Sequence, residues 1–580
     1  MISYRIEPLD LHAHLFKVSL RIPEPAAEQQ LSLPAWIPGS YLVREFARHL
    51  QRVSARQGRR ELPVEQLDKA SWHVRCDGRT ALEVSYEVYA FDNSVRTAWL
   101  DASRGFFNGT SVFLRVEGRE HEAHGVEIRA LPRGWKIATA LPAVQTDARG
   151  QGRYEAPGYD ELVDHPVEMG DFWRGEFRAG GVAHEFVVAG ALPGFNGERL
   201  LADAKRICEA QIRFWHERRK PPFGRYVFLL NAVDDGYGGL EHRASTALIC
   251  SRRDLPRAGE DGQSEGYVTL LGLVSHEYFH TWNVKRLRPR EFARYDYTRE
   301  NYTELLWFFE GFTSYYDDLF LVRAGLIDEA RYLKLLSKTV SGVLATPGRE
   351  VQSVAQASFD AWVKYYRQDE NTVNATVSYY TKGSLVALAL DLSLRSEGRG
   401  TLDDVMRLLW TRSGGGPIGE NDIAAALKDV AGRSFSRELS RWVHGTQELP
   451  LEPLLREAGV QWKTQPAPWP LRVGARTADG VGGVQIKAVM RGQWAERVGL
   501  AAGDEVLAVN DWRLRKLDDM ALHGREGEAV ELLVSRDQRV LRLRGALPGA
   551  DVSSANVALS VAASAPGAAA ERRQAWIGRR

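Results

Sequence analysis

The chain has 580 residues, of which 44% are hydrophobic and 26% are charged, as is ordinary for a globular protein. Its 76 basic and 75 acidic residues give a net charge of +1, so the composition does not indicate a nucleic-acid partner. No apolar run reaches the roughly 18 residues of a membrane span, and no signal peptide is visible, so we predict a cytoplasmic protein without a membrane segment. Three scattered cysteines favour a reducing compartment: Cys76, Cys208 and Cys250.

The first region, residues 1–170, has the alternating pattern of β-strands with one buried face. Apolar residues alternate with polar ones at Phe16, Val18, Leu20 and Ile22 and again at Leu82, Val84, Tyr86 and Val88. Turn-forming pairs such as Pro38-Gly39 separate the runs, which favours a β-sandwich. Segment 36–41 (WIPGSY) has two interpretations, an internal turn or a loop that reaches an active site.

Residues 171–260 predict a mixture of strands and helices and include a glycine-rich loop that ends in a carboxylate. In this loop Gly238 and Gly239 precede Leu240 and Glu241. Paired glycines allow the backbone to approach a ligand closely. An ordinary turn before a polar residue is the alternative interpretation.

The most informative stretch is SHEYFH at residues 275–280, at the end of the apolar run 267–274. His276 and His280 are four residues apart, so on a helix both side chains project from the same face. Two imidazoles in this arrangement can share a Zn²⁺ ion, with Glu277 beside the metal as a general base. The alternative is a buried helix with two histidines that bind no metal.

A tetrahedral zinc with two histidine ligands needs one more protein ligand and an open position for water. Glu310 lies in the aromatic helical run 302–324, whose predicted core stripe includes Phe309 and Phe312. A carboxylate is costly to bury there unless it is paired or metal-bound, so we predict that Glu310 is the third ligand. Glu304, at the polar start of the run, is a competitor, and a solvated Glu310 at the helix edge is the remaining alternative.

Helical patterns continue to about residue 445, and a proline-rich linker at 465–470 leads into a β-rich unit. In this unit, residues 499–510 (GLAAGDEVLAVN) predict a short helix, a tight turn and a strand. The arrangement resembles a PDZ domain, in which an exposed sheet edge accepts an extended peptide. After about residue 548 the chain is rich in Ala, Ser and Gly and lacks apolar periodicity, so we predict a flexible tail.

Two motifs in combination resemble the glycyl aminopeptidase family of zinc metallopeptidases. They are HEYFHTWN at residues 276–283 and WFFEGFTSYY at residues 307–316. Two further segments, 33–41 (LPAWIPGSY) and 159–170 (YDELVDHPVEMG), are similar to N-terminal segments of that family but assign no chemistry.

The resemblance implies a multidomain α+β protein. Its expected parts are an N-terminal β-sandwich-like domain, a mainly helical thermolysin-like catalytic domain, a C-terminal PDZ domain and the tail, at residues 1–170, 171–460, 471–547 and 548–580.

The wider group of zinc aminopeptidases implies two more roles. Their Gly-x-Met-Glu-Asn loop is similar to residues 238–242, so Glu241 is expected to hold the free α-amino group of the substrate, as a carboxylate pairs with an ammonium. His242 stands in place of the usual Asn. Their Tyr-x-Lys-Gly segment is similar to residues 380–383, so Tyr380 is expected to donate a hydrogen bond to the oxyanion.

Three points stay open within this comparison. Tyr379 is an adjacent alternative for the oxyanion donor, and a tyrosine that only packs in the core is another. Thermolysin-like enzymes often carry an acidic residue four positions after the third ligand, where it orients a zinc histidine. That position is Ser314 here, so the sequence does not identify the orienting group.

The sequence therefore predicts a zinc aminopeptidase with one Zn²⁺ held by His276, His280 and Glu310. Glu277 takes a proton from the attacking water and passes it to the leaving amine. The resemblance implies peptide substrates with a free N-terminus and a small first residue such as Gly or Ala. The alternatives are a zinc endopeptidase that recruits proteins through its PDZ unit, and a PDZ scaffold with an inert peptidase domain.

Overall fold

The computed structural model describes residues 1–260, 262–479, 483–549, 555–562 and 567–578. The chain divides into two compact units. The first comprises Met1–Asn301 with the short segment Ser413–Pro417, and the second comprises Tyr302–Arg412 with the chain from Ile418 onward. The predicted catalytic region 171–460 is therefore shared between the units, and the predicted domain boundaries stay predictions.

The N-terminal part of the first unit is almost entirely β-structure. Its strands are β1 (Ile2–Asp10), β2 (Leu15–Ile22), β3 (Glu28–Ser32), β4 (Leu50–Gln57), β5 (Arg60–Leu62), β6 (Val64–Asp68), β7 (Ser71–Arg75), β8 (Leu82–Tyr89), β9 (Ala98–Leu100), β10 (Arg104–Phe107), β11 (Arg115–Val116), β12 (His124–Ile128), β13 (Lys136–Ala138), β14 (Ala143–Thr146), β15 (Gly152–Ala156) and β16 (Val167–Gly170). Two short helices accompany them, α1 (Gly109–Val112) and α2 (Tyr159–Val163).

These strands form one large sheet and two small ones around a shared apolar core. The large sheet has the order β14-β15-β12-β1-β2-β8-β4-β5, and the small sheets have the orders β13-β16-β10-β9 and β11-β3-β7-β6. The predicted alternation is confirmed in β2, where Phe16, Val18, Leu20 and Ile22 are at most 1% exposed. Burial of one face of strands such as β2 and β8 therefore produces the β-sandwich-like part of the predicted fold.

The remainder of the first unit is a five-stranded sheet with two long helices. Its elements are β17 (Trp173–Ala179), β18 (Val182–Ala189), α3 (Gly197–His216), β19 (Arg225–Val233), β20 (Tyr237–Glu241), β21 (Ser245–Ser251) and α4 (Glu265–Phe279). The sheet order is β17-β18-β19-β21-β20, so β20 is an edge strand. The prediction of a glycine-rich loop at this position is wrong, because backbone pairing with β21 makes the segment a strand despite its glycines.

The second unit begins with a helical part, as predicted. Its helices are α5 (Leu306–Arg323), α6 (Glu329–Leu344), α7 (Val354–Phe359), α8 (Thr372–Ala375), α9 (Thr381–Ser396), α10 (Leu402–Ser413), α11 (Glu420–Ala431), α12 (Ser436–Trp442) and α13 (Leu451–Glu457). Among the helices of the described residues, none combines the length and the apolar character that crossing a membrane requires.

A separate apolar core marks the C-terminal β-unit. Its elements are α14 (Trp469–Val473), β23 (Ala475–Asp479), β24 (Val484–Val489), α15 (Trp494–Arg497), β25 (Glu505–Val509), β26 (Trp512–Arg513), β27 (Ala529–Arg536) and β28 (Arg539–Ala546). The predicted helix, turn and strand over 499–510 are replaced by a turn and β25, with α15 just before them. Of the predicted PDZ range, residues 480–482 lie outside the described residues.

The prediction of a flexible tail is wrong for residues 555–562 and 567–578. Strand β29 (Val557–Val561) pairs with β22 (Val460–Thr464), and α16 (Gly567–Ile577) carries the fully buried Trp576. The indole Nε1–H of Trp576 donates to the hydroxyl of Tyr315 at 2.9 Å. The tail has few apolar side chains of its own, and the helical part of the unit supplies the apolar surface against which they are buried. Residues 550–554, 563–566 and 579–580 lie outside the described residues.

Candidate active site

Helix α4 places His276 and His280 one turn apart. The hydroxyl of Ser264 caps the helix by accepting the backbone N–H of Tyr267 at 3.0 Å. The helix ends at Phe279, and His280 keeps helical geometry as the next residue. The Nε2 atoms of the two imidazoles are 3.0 Å apart. Two nitrogen ligands of a tetrahedral zinc are about 3.3 Å apart, so this donor pair fits the ion.

The turn after α4 orients His280. Its Nδ1 atom lies 2.8 Å from the backbone carbonyl oxygen of Asn283, so an Nδ1–H donor leaves the Nε2 lone pair directed towards His276. The next residue, Val284, has a φ of +98°, a strained value for a β-branched residue. No side-chain motif marks this orienting group, because it is a backbone carbonyl.

Glu241 and Glu277 converge in the first unit. Ligand atoms of Glu241, Glu277 and His280 all lie within 4.8 Å of one another. The two carboxylates belong to residues that are only 4% and 5% exposed. Strand β20 passes directly against Glu277, because a Cβ atom added to Gly239 would overlap that carboxylate. A side chain at 239 would displace that carboxylate, and Gly238 precedes Gly239 in the same edge strand.

Segment 36–41 also contacts this region. It is a buried turn with a bridge between Ile37 and Ser40. Gly39 has a φ of +95°, and a Cβ atom there would overlap the carboxylate of Glu241. Glycine is needed at this position for both reasons. The segment is thus an internal turn that also reaches Glu241, so the two interpretations are compatible.

In the second unit, Glu310 lies in α5 and is 2% exposed. The competing Glu304 is exposed and precedes the helix. Helices α5 and α9 cross in backbone contact: a Cβ atom on Gly311 would lie 2.6 Å from the Cα atom of Gly383. A Cβ atom on Gly383 would lie 2.7 Å from the carbonyl oxygen of Trp307. Both glycines are therefore required by this helix crossing.

The same crossing brings Tyr380 close to Glu310. Burial and the negative charge of Glu310 raise the pKa of Tyr380 well above its usual range, so the hydroxyl keeps its proton at neutral pH. Tyr379 is fully buried, whereas Tyr380 is partly exposed. Exposure therefore distinguishes the two adjacent tyrosines, because a hydrogen-bond donor for a substrate must reach the surface.

Family models match three parts of the chain. The M61 peptidase N-terminal domain matches residues 3–171, M61 glycyl aminopeptidase matches residues 269–386, and the PDZ domain matches residues 485–536. The crystal structure of an aminopeptidase N family protein from Idiomarina loihiensis is 37% identical, with a TM-score of 0.93, and the alignment covers 100% of both chains. The chain belongs to the M61 glycyl aminopeptidase family of zinc metallopeptidases.

A more distant structure is that of an M1 zinc metallopeptidase from Deinococcus radiodurans. It is 15% identical with a TM-score of 0.49, and the alignment covers 78% of this chain and 94% of that chain. None of the curated proteins compared matches the chain. Membership in the M61 family confirms the resemblance found in the sequence and identifies the chain as a peptidase, so an inert scaffold is not supported.

Proposed function

We propose that this M61 peptidase removes single residues, preferably Gly or Ala, from the free N-terminus of peptides. The observation that carries the proposal is the position of Glu241, whose carboxylate lies within 4.8 Å of ligand atoms of Glu277 and His280. A carboxylate beside the reacting bond selects a substrate whose α-ammonium lies one residue away. The turn at Gly39 covers the far side of that carboxylate, which disfavours an internal stretch of a longer chain.

The proposed metal ligands are His276, His280 and Glu310, for one zinc per chain. The 3.0 Å separation of the two Nε2 atoms and the deep burial of Glu310 support this set. Two imidazoles with one carboxylate are a common ligand set for catalytic zinc. The chemistry that zinc supplies when bound is polarisation of a water molecule, whose pKa falls from about 15.7 towards roughly 7.

Within the proposal, Glu277 accepts one proton from the attacking water and passes it to the nitrogen of the leaving amine. The remaining hydroxyl becomes part of the released carboxylic acid, so the protons balance. Tyr380 donates its hydroxyl hydrogen to the carbonyl oxygen as negative charge develops there. The partial exposure of Tyr380, in contrast to the fully buried Tyr379, supports this role. Glu241 pairs with the α-ammonium throughout.

Strand β20 is proposed to align the substrate. It is the edge strand of its sheet among the described strands, and an extended peptide can add to such an edge. In this strand, Gly239 lies against the side chain of Glu277. A peptide paired with the strand would therefore pass the proposed base. A peptide ligand at the PDZ unit and a cytoplasmic location stay predictions.

The test is an assay of the purified full chain on glycyl, alanyl and leucyl p-nitroanilides and on their N-acetylated counterparts. We expect cleavage of the free amines, fastest for the small residues, no cleavage of the acetylated compounds, and loss of activity with a chelator that added zinc restores. Glu241→Ala should abolish the preference for a free amine, whereas Glu155→Ala, at an exposed position of β15, should not. Equal cleavage of acetylated and free substrates by the wild type would favour the endopeptidase alternative.

A further inference from the structure

A buried group of charged side chains lies at the end of strand β20, beside the residues that follow Glu241. Asp164, which follows α2 in the N-terminal β-structure, is 8% exposed, and Lys285, which follows the strained Val284, is 4% exposed. The Oδ1 atom of Asp164 is 2.7 Å from the Nζ atom of Lys285. Few buried lysines persist without such a partner, because desolvation of a lone ammonium is costly.

The same carboxylate also holds the two residues that follow Glu241. The backbone N–H of Arg243 donates to Oδ2 of Asp164 at 2.9 Å. The Nδ1 atom of His242 lies 3.3 Å from Oδ1. One carboxylate therefore connects the end of β20 with the turn after α4, which carries the proposed ligand His280. Segment 159–170, to which the sequence assigned no chemistry, supplies this carboxylate.

Both members of the pair are charged at neutral pH. Burial alone would raise the pKa of Asp164, but Lys285 and Arg243 hold it well below its usual range. Burial would lower the pKa of Lys285, but Asp164 and, more weakly, Tyr295 and then Glu241 raise it above its ordinary value. The ammonium of Lys285 thus lies within the electrostatic reach of two carboxylates.

This arrangement matters for recognition of an α-ammonium. An unneutralised lysine beside Glu241 would pair with that carboxylate and would repel the positively charged end of the substrate. Asp164 neutralises the lysine and holds it at 2.7 Å, so the lysine does not compete with the substrate for Glu241.

We propose that Asp164 is a positioning residue for the amino-group site: it sequesters Lys285 and fixes the backbone after Glu241, so that the N-terminal β-structure sets the selectivity for a free α-amino group. The inference rests on the proposed function, because it concerns the residues that position Glu241 for binding the α-ammonium. Neither residue is assigned contact with the substrate.

The experiment compares Asp164→Asn with the double variant Asp164→Asn/Lys285→Met, in the full chain loaded with zinc, on alanyl p-nitroanilide. We expect the single variant to raise KM at least about tenfold with a smaller change in kcat, because the lysine turns to Glu241. Removal of the lysine as well should return KM to within about threefold of the wild type. Asp171→Asn, exposed just after segment 159–170, is the matched control.

A double variant that is as impaired as the single variant, or more so, would overturn the inference, because the higher KM would then not depend on the freed lysine. Circular dichroism and thermal melting identify a single variant that fails to fold. In that case a folded double variant with near-wild-type KM supports the inference, and one with a tenfold higher KM overturns it. An active wild type with an unrescued double variant overturns this inference alone, whereas a wild type inactive on the free amine overturns the proposed function with it.

Discussion

The two units carry their candidate site residues in contrasting surroundings. In the first unit, Glu241 and Asp164 lie among cations and imidazoles, with Lys285 paired at 2.7 Å. In the second unit, Glu310 lies close to Tyr365 and Tyr380, whose pKa values are raised by burial and by its charge. In the first unit, the ion pair fixes where the charges of the site lie. In the second unit, the buried phenols stay protonated and can donate hydrogen bonds. The first surroundings suit binding of an ammonium and transfer of a proton, and the second suit an oxyanion.

Glycines serve the two units differently. In the first unit, Gly39 and Gly239 bring backbone against the carboxylates of the site itself. In the second unit, Gly311 and Gly383 bring two helices together and so set the position of the side chains beside them. A motif glycine can therefore act on chemistry directly or only through packing, and variants can separate the two.

The largest expected effect belongs to the first unit. Glu277→Gln should lower kcat/KM by about 10²–10⁴-fold, because the amide cannot accept a proton, while zinc content measured by mass spectrometry stays at the wild-type level. Glu155→Gln, exposed in β15, is the matched control and should change neither quantity. Wild-type turnover by a zinc-loaded Glu277→Gln protein would exclude Glu277 as the base.

Within the second unit, stability should depend on the apolar contacts of the C-terminal helix α16. Trp576→Ala removes a fully buried indole and its hydrogen bond to Tyr315, so the free energy of unfolding should fall by about 3–5 kcal/mol in denaturant titrations. Trp512→Ala, at a residue 66% exposed, should change it by less than about 0.5 kcal/mol. Similar losses for both variants would contradict the docking of α16.

The role assigned to Tyr380 is tested against its neighbour. Tyr380→Phe should lower kcat by about 10²–10³-fold with little change in KM, because the lost hydrogen bond acts mainly in the transition state. Tyr379→Phe should affect kcat much less, since that residue is fully buried. The reverse order of effects would assign the oxyanion contact to Tyr379.

The smallest expected effect distinguishes a glycine at a helix crossing from an exposed glycine within a helix. Gly383→Ala places a methyl group 2.7 Å from the carbonyl oxygen of Trp307 and should destabilise the protein by about 1–3 kcal/mol. Gly342→Ala, exposed in α6 with nothing within 4 Å of the added Cβ, should stabilise it by about 0.5–1 kcal/mol. Thermal melting compares the two, and stabilisation by Gly383→Ala would contradict the close crossing.

Local patterns in the sequence were sufficient for the β-rich and helical regions and for the most regular parts of the site, whereas the full multidomain fold class was implied by the family resemblance. The period of two predicted the buried face of β2, and the spacing of His276 and His280 predicted imidazoles on one helix face. Both patterns involve residues only a few positions apart, so the geometry of the strand or helix determines which side chains share a face. The misplaced elements, the glycine-rich strand β20 and the tail, lack side-chain periodicity. Strand β20 forms by pairing with the next strand, β21, and the tail strand forms by pairing with the distant β22.

Only the tertiary structure decided the surroundings of the site. The contact of Gly39 with Glu241 and the pairing of Asp164 with Lys285 join residues more than 100 positions apart, and no local spacing encodes them. The difference in exposure between Tyr379 and Tyr380 likewise follows from packing, because adjacent tyrosines have the same intrinsic chemistry. The sequence by itself determined which side chains were available for catalysis, and the packing of distant segments determined which charges and surfaces they meet.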